Sequence, residues 1–118
     1  MMRKLKATII GVALVLASLG EPASSETANY RMPGCRSFAK QDNDSRYLFA
    51  SGVCSGLIEA LISLTPALAP EIRSCPPSNI TTGQGALVVV QFIDARPARL
   101  NDGFLPLAIE AFQNAWPC

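Results

Sequence analysis

The clearest repeat of apolar positions lies near the C-terminus, where Phe104, Leu107, Ala108, Ala111, Phe112, Ala115 and Trp116 recur every three or four residues. That spacing predicts an amphipathic helix with one face in the core and Trp116 buried on it. Asp102 is the expected N-cap, Pro106 falls in the first turn where its missing N–H costs nothing, and Pro117 and Cys118 end both helix and chain. Upstream, Thr81 and Gln84 have capping-box spacing in front of a strongly apolar run from Ala86 to Ile93, which Arg96 and Pro97 terminate. The run is valine-rich, yet the cap signal and the lack of an alternating partner strand favour a helix, with Leu87, Val90 and Phe92 to Ile93 as its stripe. A third helix, capped by Asp44 or Ser45, is expected to run to about Leu64 with Ala50, Val53, Cys54, Leu57, Leu61 and Leu64 facing inward. A short helical turn around Cys35 to Lys40 precedes it. Gly52 and Gly56 sit one turn apart and each costs about 1 kcal/mol of helix propensity. The expectation is that they let another part of the same chain pack close.

The first residues read differently. Met1, Met2, Arg3, Lys4, Leu5 and Lys6 precede an uncharged, largely apolar run from Ala7 to Gly20 and a polar exit from Glu21 to Thr27. This is the layout of a cleaved secretory signal peptide over residues 1–25, with cleavage after Gly20 or after Ser25. The apolar run is shorter than the roughly 20 residues a spanning helix needs, and no second such run is expected after it. A single domain over residues 26–118 follows, exported to the periplasm and free of the membrane once the leader is removed. The leader carries three of the ten basic residues, so the domain is near-neutral and has no nucleic-acid footprint.

A chain of that length buries one modest core, which small exported domains supplement with staples. Cys35, Cys54, Cys75 and Cys118 form an even set in an oxidising compartment, so two disulfides are expected. Three pairings are possible, and the working expectation is Cys54 with Cys75 and Cys35 with Cys118, the longer bridge tying the two ends of the domain. Between Thr65 and Ser78, Pro66, Pro70, Pro76 and Pro77 rule out regular structure. The fold expected is therefore all-α, a small bundle of about four helices stapled by two disulfides.

Candidate chemistry is sparse. The protein has no histidine, which removes the Ser-His and Cys-His designs and the usual general base near neutral pH. No cysteine spacing is of the C-x-x-C type, so neither a zinc site nor a reactive dithiol is expected. Asp42, Asp44, Glu59, Glu71, Asp94, Asp102 and Glu110 are scattered and read as caps and surface groups rather than a converging acid pair. No catalytic residue, cofactor or metal is assigned. The segment Arg96, Pro97, Ala98, Arg99, Leu100, Asn101, Asp102 is a polar loop between two helices, and its two arginines belong to a residue type enriched at protein interfaces. An ordinary solvated loop is the competing reading.

From Tyr30 onward the chain resembles the Rap/Tai immunity proteins of type VI secretion systems. The matching pieces, in order, are Gly34 and Cys35; Gly52, Val53, Cys54, Ser55 and Gly56; Cys75 and Pro76; and Ile80 to Gln84. They continue through Val88 to Ile93, the turn Arg96 to Leu100, and the closing Ala115, Trp116, Pro117 and Cys118. The resemblance implies an all-helical periplasmic protein, often a homodimer, that protects the cell by pushing a loop into the catalytic groove of a peptidoglycan amidase effector. It places the inhibitory role on Arg96, Arg99 and Asn101, with the proline-rich loop around Glu71 and Arg73 as the rival site. The alternative from another class is a small periplasmic stress chaperone or binding module of the HdeA kind.

Overall fold

The computed structural model describes residues 26–118, so the expected signal peptide lies outside the described residues. Four α-helices follow in order: α1 (Ala28–Lys40), α2 (Leu48–Leu64), α3 (Thr82–Asp94) and α4 (Phe104–Ala115). Single 3-10 turns at Ser45–Tyr47, Thr65–Ala67 and Pro97–Arg99 join or extend them. Among the described residues there is no strand, only an isolated bridge between Thr27 and Gly103. The all-α, four-helix, doubly stapled architecture read from the sequence is the one observed.

The largest departure is α1, a full helix of 13 residues where only a turn around Cys35 was expected. Pro33 lies inside it, past the first turn, where proline forfeits a backbone bond and normally argues against helix. Burial decides the matter: Ala28, Met32 and Cys35 line one face and all three are fully enclosed. The first N–H groups of α1, orphans in any helix, are satisfied from elsewhere in the chain, Ala28 by the Asp102 carbonyl and Asn29 by the Leu100 carbonyl, each at 2.9 Å. The helix ends at Gln41, which adopts the left-handed conformation with φ 55° and returns its N–H to Phe38 and Ser37.

In α2 the buried residues are Cys54, Ile58 and Leu61. The inward face is therefore rotated from the one expected: Ile58 belongs to it, whereas Leu64 is 56% exposed. Similarly, α3 buries Gly85, Ala86, Val89, Val90 and Ile93 and leaves Leu87 outside. The Thr81 hydroxyl caps α3 as expected, accepting from the Gln84 N–H at 3.1 Å. The N-cap of α4 is Gly103 rather than Asp102, which pairs with Arg99 instead. Helices α1, α2 and α3 pack against one another, and α4 closes the core against α3. Met32, Ile58, Val89, Ile93, Phe104, Leu107 and Phe112 fill that core. Trp116 is only half-buried, standing edge-on to Phe112 with ring centroids 5.2 Å apart.

The disulfide pairing differs from the working expectation. Cys35 bonds Cys54, and Cys75 bonds Cys118. The first joins facing turns of α1 and α2, and the second pins the proline-rich loop to the chain terminus. With sequence separations of 19 and 43 residues, loop closure alone assigns them about 3.2 and about 4.0 kcal/mol.

The glycine expectation is also corrected. Among the described residues nothing lies within 4 Å of a Cβ placed at Gly52 or Gly56, so neither serves close packing there. The close approach is at Gly34, where a Cβ would fall 2.5 Å from the Ala50 carbonyl oxygen. Finally, Ser45–Ala67 is a continuous helical stretch of 23 residues containing an 18-residue window of mean hydropathy 1.7, long and apolar enough by length and composition to cross a membrane. This corrects the expectation that no second such run follows the leader.

Candidate partner-binding site

The segment from Ala95 to Gly103 joins α3 to α4 and holds Arg96, Arg99 and Asn101. Its backbone is folded on itself. Arg99 N–H donates to the Arg96 carbonyl at 2.9 Å, Leu100 to Pro97 at 3.3 Å and Asp102 to Arg99 at 3.0 Å. It is also tied to the start of α1 by the two capping bonds above and by Phe104 N–H to the Glu26 carbonyl at 2.9 Å. The loop thus serves as the N-terminal cap of one helix and the entry to another.

Each side chain assigned to it has a distinct setting. Arg99 makes a bidentate bond to Glu110, at 2.6 and 2.9 Å, and a third bond to Asp102 at 2.9 Å. These contacts hold the Glu110 carboxyl below its ordinary value, with the Arg99 hydrogen bonds as the largest cause, and raise the Arg99 guanidinium further. Asn101 accepts from the Asn29 side-chain amide at 3.0 Å. Arg96 donates to the Phe92 carbonyl at 2.9 Å, and its guanidinium carbon lies 3.7 Å from the centre of the Phe92 ring. Among the described residues no carboxylate pairs with Arg96. All three side chains are braced, and of the two arginines Arg96 is the one without a carboxylate in contact, its charge reaching Glu110 only at longer range.

Arg96 also borders a shallow groove of about 310 Å³ between α3 and α4, lined by Val88, Gln91, Phe92, Ala111, Asn114 and Ala115. Sequence reasoning missed this groove because its two walls are the outer edges of helices assigned separately. It also missed the pairing of Arg36 with Asp94 at 2.7 Å, which ties α1 to the end of α3. Recognising α1 as a full helix was the one signal that could have found it.

The rival loop is pinned as firmly. Arg73 donates to the Leu68 carbonyl at 3.0 Å, and Gln113 of α4 donates to the Glu71 carbonyl at 2.8 Å. The buried hydroxyls of Thr65 and Ser74 lie 2.7 Å apart, and Cys75 N–H donates to the Trp116 carbonyl at 2.8 Å. The acids behave as caps and ion-pair partners. Asp42 accepts from the Ser37 hydroxyl at 2.6 Å, Asp44 caps the turn before α2, and Asp94, Asp102 and Glu110 pair with arginines. Among the described residues no three potential metal ligands converge.

Fold and site together define a small, rigid, disulfide-stapled helical scaffold with preformed loops, suited to docking on another protein. The two disulfides fit an extracytoplasmic location. The chain belongs to the Rap1a immunity proteins, whose family model matches residues 26–118. Membership carries an immunity role, in which such a protein binds a partner effector protein, and proteins of this kind are generally not enzymes. No curated protein and no solved structure matches the chain.

Proposed function

We propose that this chain is a periplasmic immunity protein that binds and inhibits a peptidoglycan amidase effector of a type VI secretion system. Residues 1–25 deliver it as a cleaved signal peptide, residues 26–118 act as the single inhibitory domain, and the protein works as a homodimer without catalysis of its own. The α3–α4 loop enters the amidase groove, with Arg96, Arg99 and Asn101 as its contact residues.

The observation that carries this reading is the bracing of that loop. A segment already locked by Glu110, Asp102, Asn29 and the start of α1 loses little conformational freedom on docking, so more of the contact energy appears as affinity. Within it, Arg96 presents a charge with which no carboxylate among the described residues makes direct contact, while Arg99 and Asn101 hold the shape.

The test is amidase inhibition by the oxidised domain, using the effector encoded beside its gene and peptidoglycan as substrate. Stoichiometric inhibition is expected. Arg96→Glu should weaken it at least about 100-fold, the scale of losing a charged contact in a desolvated interface, with the helical circular dichroism retained and the thermal midpoint lowered only by the loss of the Phe92 carbonyl bond and ring contact. Full inhibition by Arg96→Glu would exclude this loop, and no binding to the effector would exclude the function.

A further inference from the structure

We propose that the Cys75–Cys118 bridge is a thiol–disulfide exchange site, opened by a dithiol in the folded protein while the Cys35–Cys54 bridge stays closed. This goes beyond the function above and does not depend on it.

The two bridges sit in opposite surroundings. Cys35 and Cys54 are fully enclosed, each in the body of a helix, and both belong to the hydrophobic core. A thiolate reaches that bond only when α1 and α2 part. Cys75 and Cys118 are exposed among the described residues, and neither lies in a helix. Exchange proceeds by direct attack of a thiolate on sulfur, so access governs its rate, and exposed bridges are the labile ones.

Opening this bridge breaks no helix. Upstream of Cys75 the loop stays tied by the Arg73 donation to the Leu68 carbonyl, by the buried hydroxyl pair of Thr65 and Ser74, and by the Gln113 donation to the Glu71 carbonyl. Downstream, the Thr81 hydroxyl caps α3. On the other arm, Trp116 N–H still donates to the Phe112 carbonyl at 2.8 Å. The freedom gained is therefore confined to residues 75–80 and 117–118.

The same geometry selects the kind of reductant. Its thiolate attacks one sulfur of the pair, a mixed disulfide forms, and the other sulfur leaves as a thiolate that takes up a proton. The two cysteines remain neighbours after this step, because their Cα atoms are 5.0 Å apart and Cys75 N–H donates to the Trp116 carbonyl at 2.8 Å. The freed cysteine thus meets the mixed disulfide at high effective concentration, re-forms the original bridge and expels a monothiol. A dithiol escapes this return. Its second thiol attacks its own sulfur in the mixed disulfide and releases the remaining cysteine, so the reductant closes into a disulfide. It gives up two electrons and two protons, and Cys75 and Cys118 receive them as two thiols.

The test is timed reduction of the oxidised mature protein with dithiothreitol, followed by alkylation of free thiols and peptide mapping, with helical circular dichroism recorded alongside. In native buffer Cys75 and Cys118 should be labelled at least about 100-fold faster than Cys35 and Cys54, with the helical signal retained. In urea above the unfolding midpoint, where both bridges meet solvent, that contrast should fall below about 10-fold. Reduced glutathione at the same thiol concentration should open the exposed bridge at least about 10-fold less. Equal labelling of the two pairs in native buffer, or labelling of Cys75 and Cys118 only after urea has unfolded the protein, overturns the site. Loss of the helical signal in step with their labelling does so too, since the bridge would then be a requirement of the fold. Glutathione as effective as dithiothreitol overturns the selection of a dithiol. None of these readings involves the effector, so the site and the inhibitory function stand or fall separately.

Discussion

Alanine at Gly34 and alanine at Gly52 are the same chemical change on neighbouring helices, and the structure gives them opposite signs. At Gly34 the new Cβ would lie 2.5 Å from the Ala50 carbonyl oxygen and 2.6 Å from both its carbonyl carbon and its Cβ. These are backbone and near-backbone atoms that cannot swing away. Relief requires α1 and α2 to separate by about 1 Å, towards the 3.5–4.0 Å of ordinary carbon contact. The Cys35–Cys54 bond beside it, with Cα atoms 5.2 Å apart, resists that separation. Overpacking of this kind costs about 1–3 kcal/mol, and the tether puts Gly34→Ala at the upper end. Helix propensity returns about 1 kcal/mol, leaving a net loss of about 2 kcal/mol. At Gly52 an added Cβ meets no packing neighbour within 4 Å among the described residues, so Gly52→Ala keeps the propensity gain of about 0.5–1 kcal/mol. Urea unfolding of the oxidised domain reads both. With a slope of about 1 kcal/mol per molar for a domain of this size, the Gly34→Ala midpoint should fall by about 2 M and the Gly52→Ala midpoint rise by about 0.5–1 M. Working at about 1 µM keeps self-association out of the reading. A Gly34→Ala midpoint equal to the wild type would refute the close crossing of α1 and α2.

The two bridges should differ in weight: Cys75→Ser with Cys118→Ser should cost about 4 kcal/mol and Cys35→Ser with Cys54→Ser about 3 kcal/mol from loop entropy, and peptide mapping of the native protein should recover only the 35–54 and 75–118 pairs. At the C-cap of α1, Gln41 has φ 55°; Gln41→Gly should raise stability by about 0.5–1 kcal/mol, seen as a higher unfolding midpoint. The carboxyls of Asp42, Asp44 and Glu110 are held below their ordinary values by Ser37, Arg46 and Arg99 respectively. Depressed carboxylates contribute stability above their unfolded values and lose it as pH falls through the folded ones. The midpoint should therefore be level from about pH 5 to 8, where no histidine titrates, and fall below about pH 4. A midpoint that rises on acidification would contradict these pairs.

The helix count, the cap at Thr81 and the amphipathic run of α4 were legible because each depends on residues a few positions apart. Phe104, Leu107, Ala108, Ala111 and Phe112 repeat at helical spacing and are all buried, so local periodicity was enough. The resemblance to immunity proteins was legible for a similar reason, since it rests on an ordered set of short pieces. The turn 96–102 was also readable as a polar loop with arginines. Its bracing was not, because Glu110, Asn29 and the N–H groups of α1 reach it from positions that nothing local connects to it.

Tertiary structure alone decided the rest. Four cysteines allow three pairings, and only the packing of α1 on α2 brings Cys35 to Cys54. Pro33 argued locally against helix, and α1 forms because burying Ala28, Met32 and Cys35 outweighs one forfeited bond. Gly34 and Gly52 look alike in the chain, yet one touches a neighbouring backbone and the other faces water. Periodicity fixes that a helix has an apolar side. Which of two apolar sides is buried depends on what the other helices present to it, and on α2, apolar nearly all round, only that contact separates the core face from the one left open.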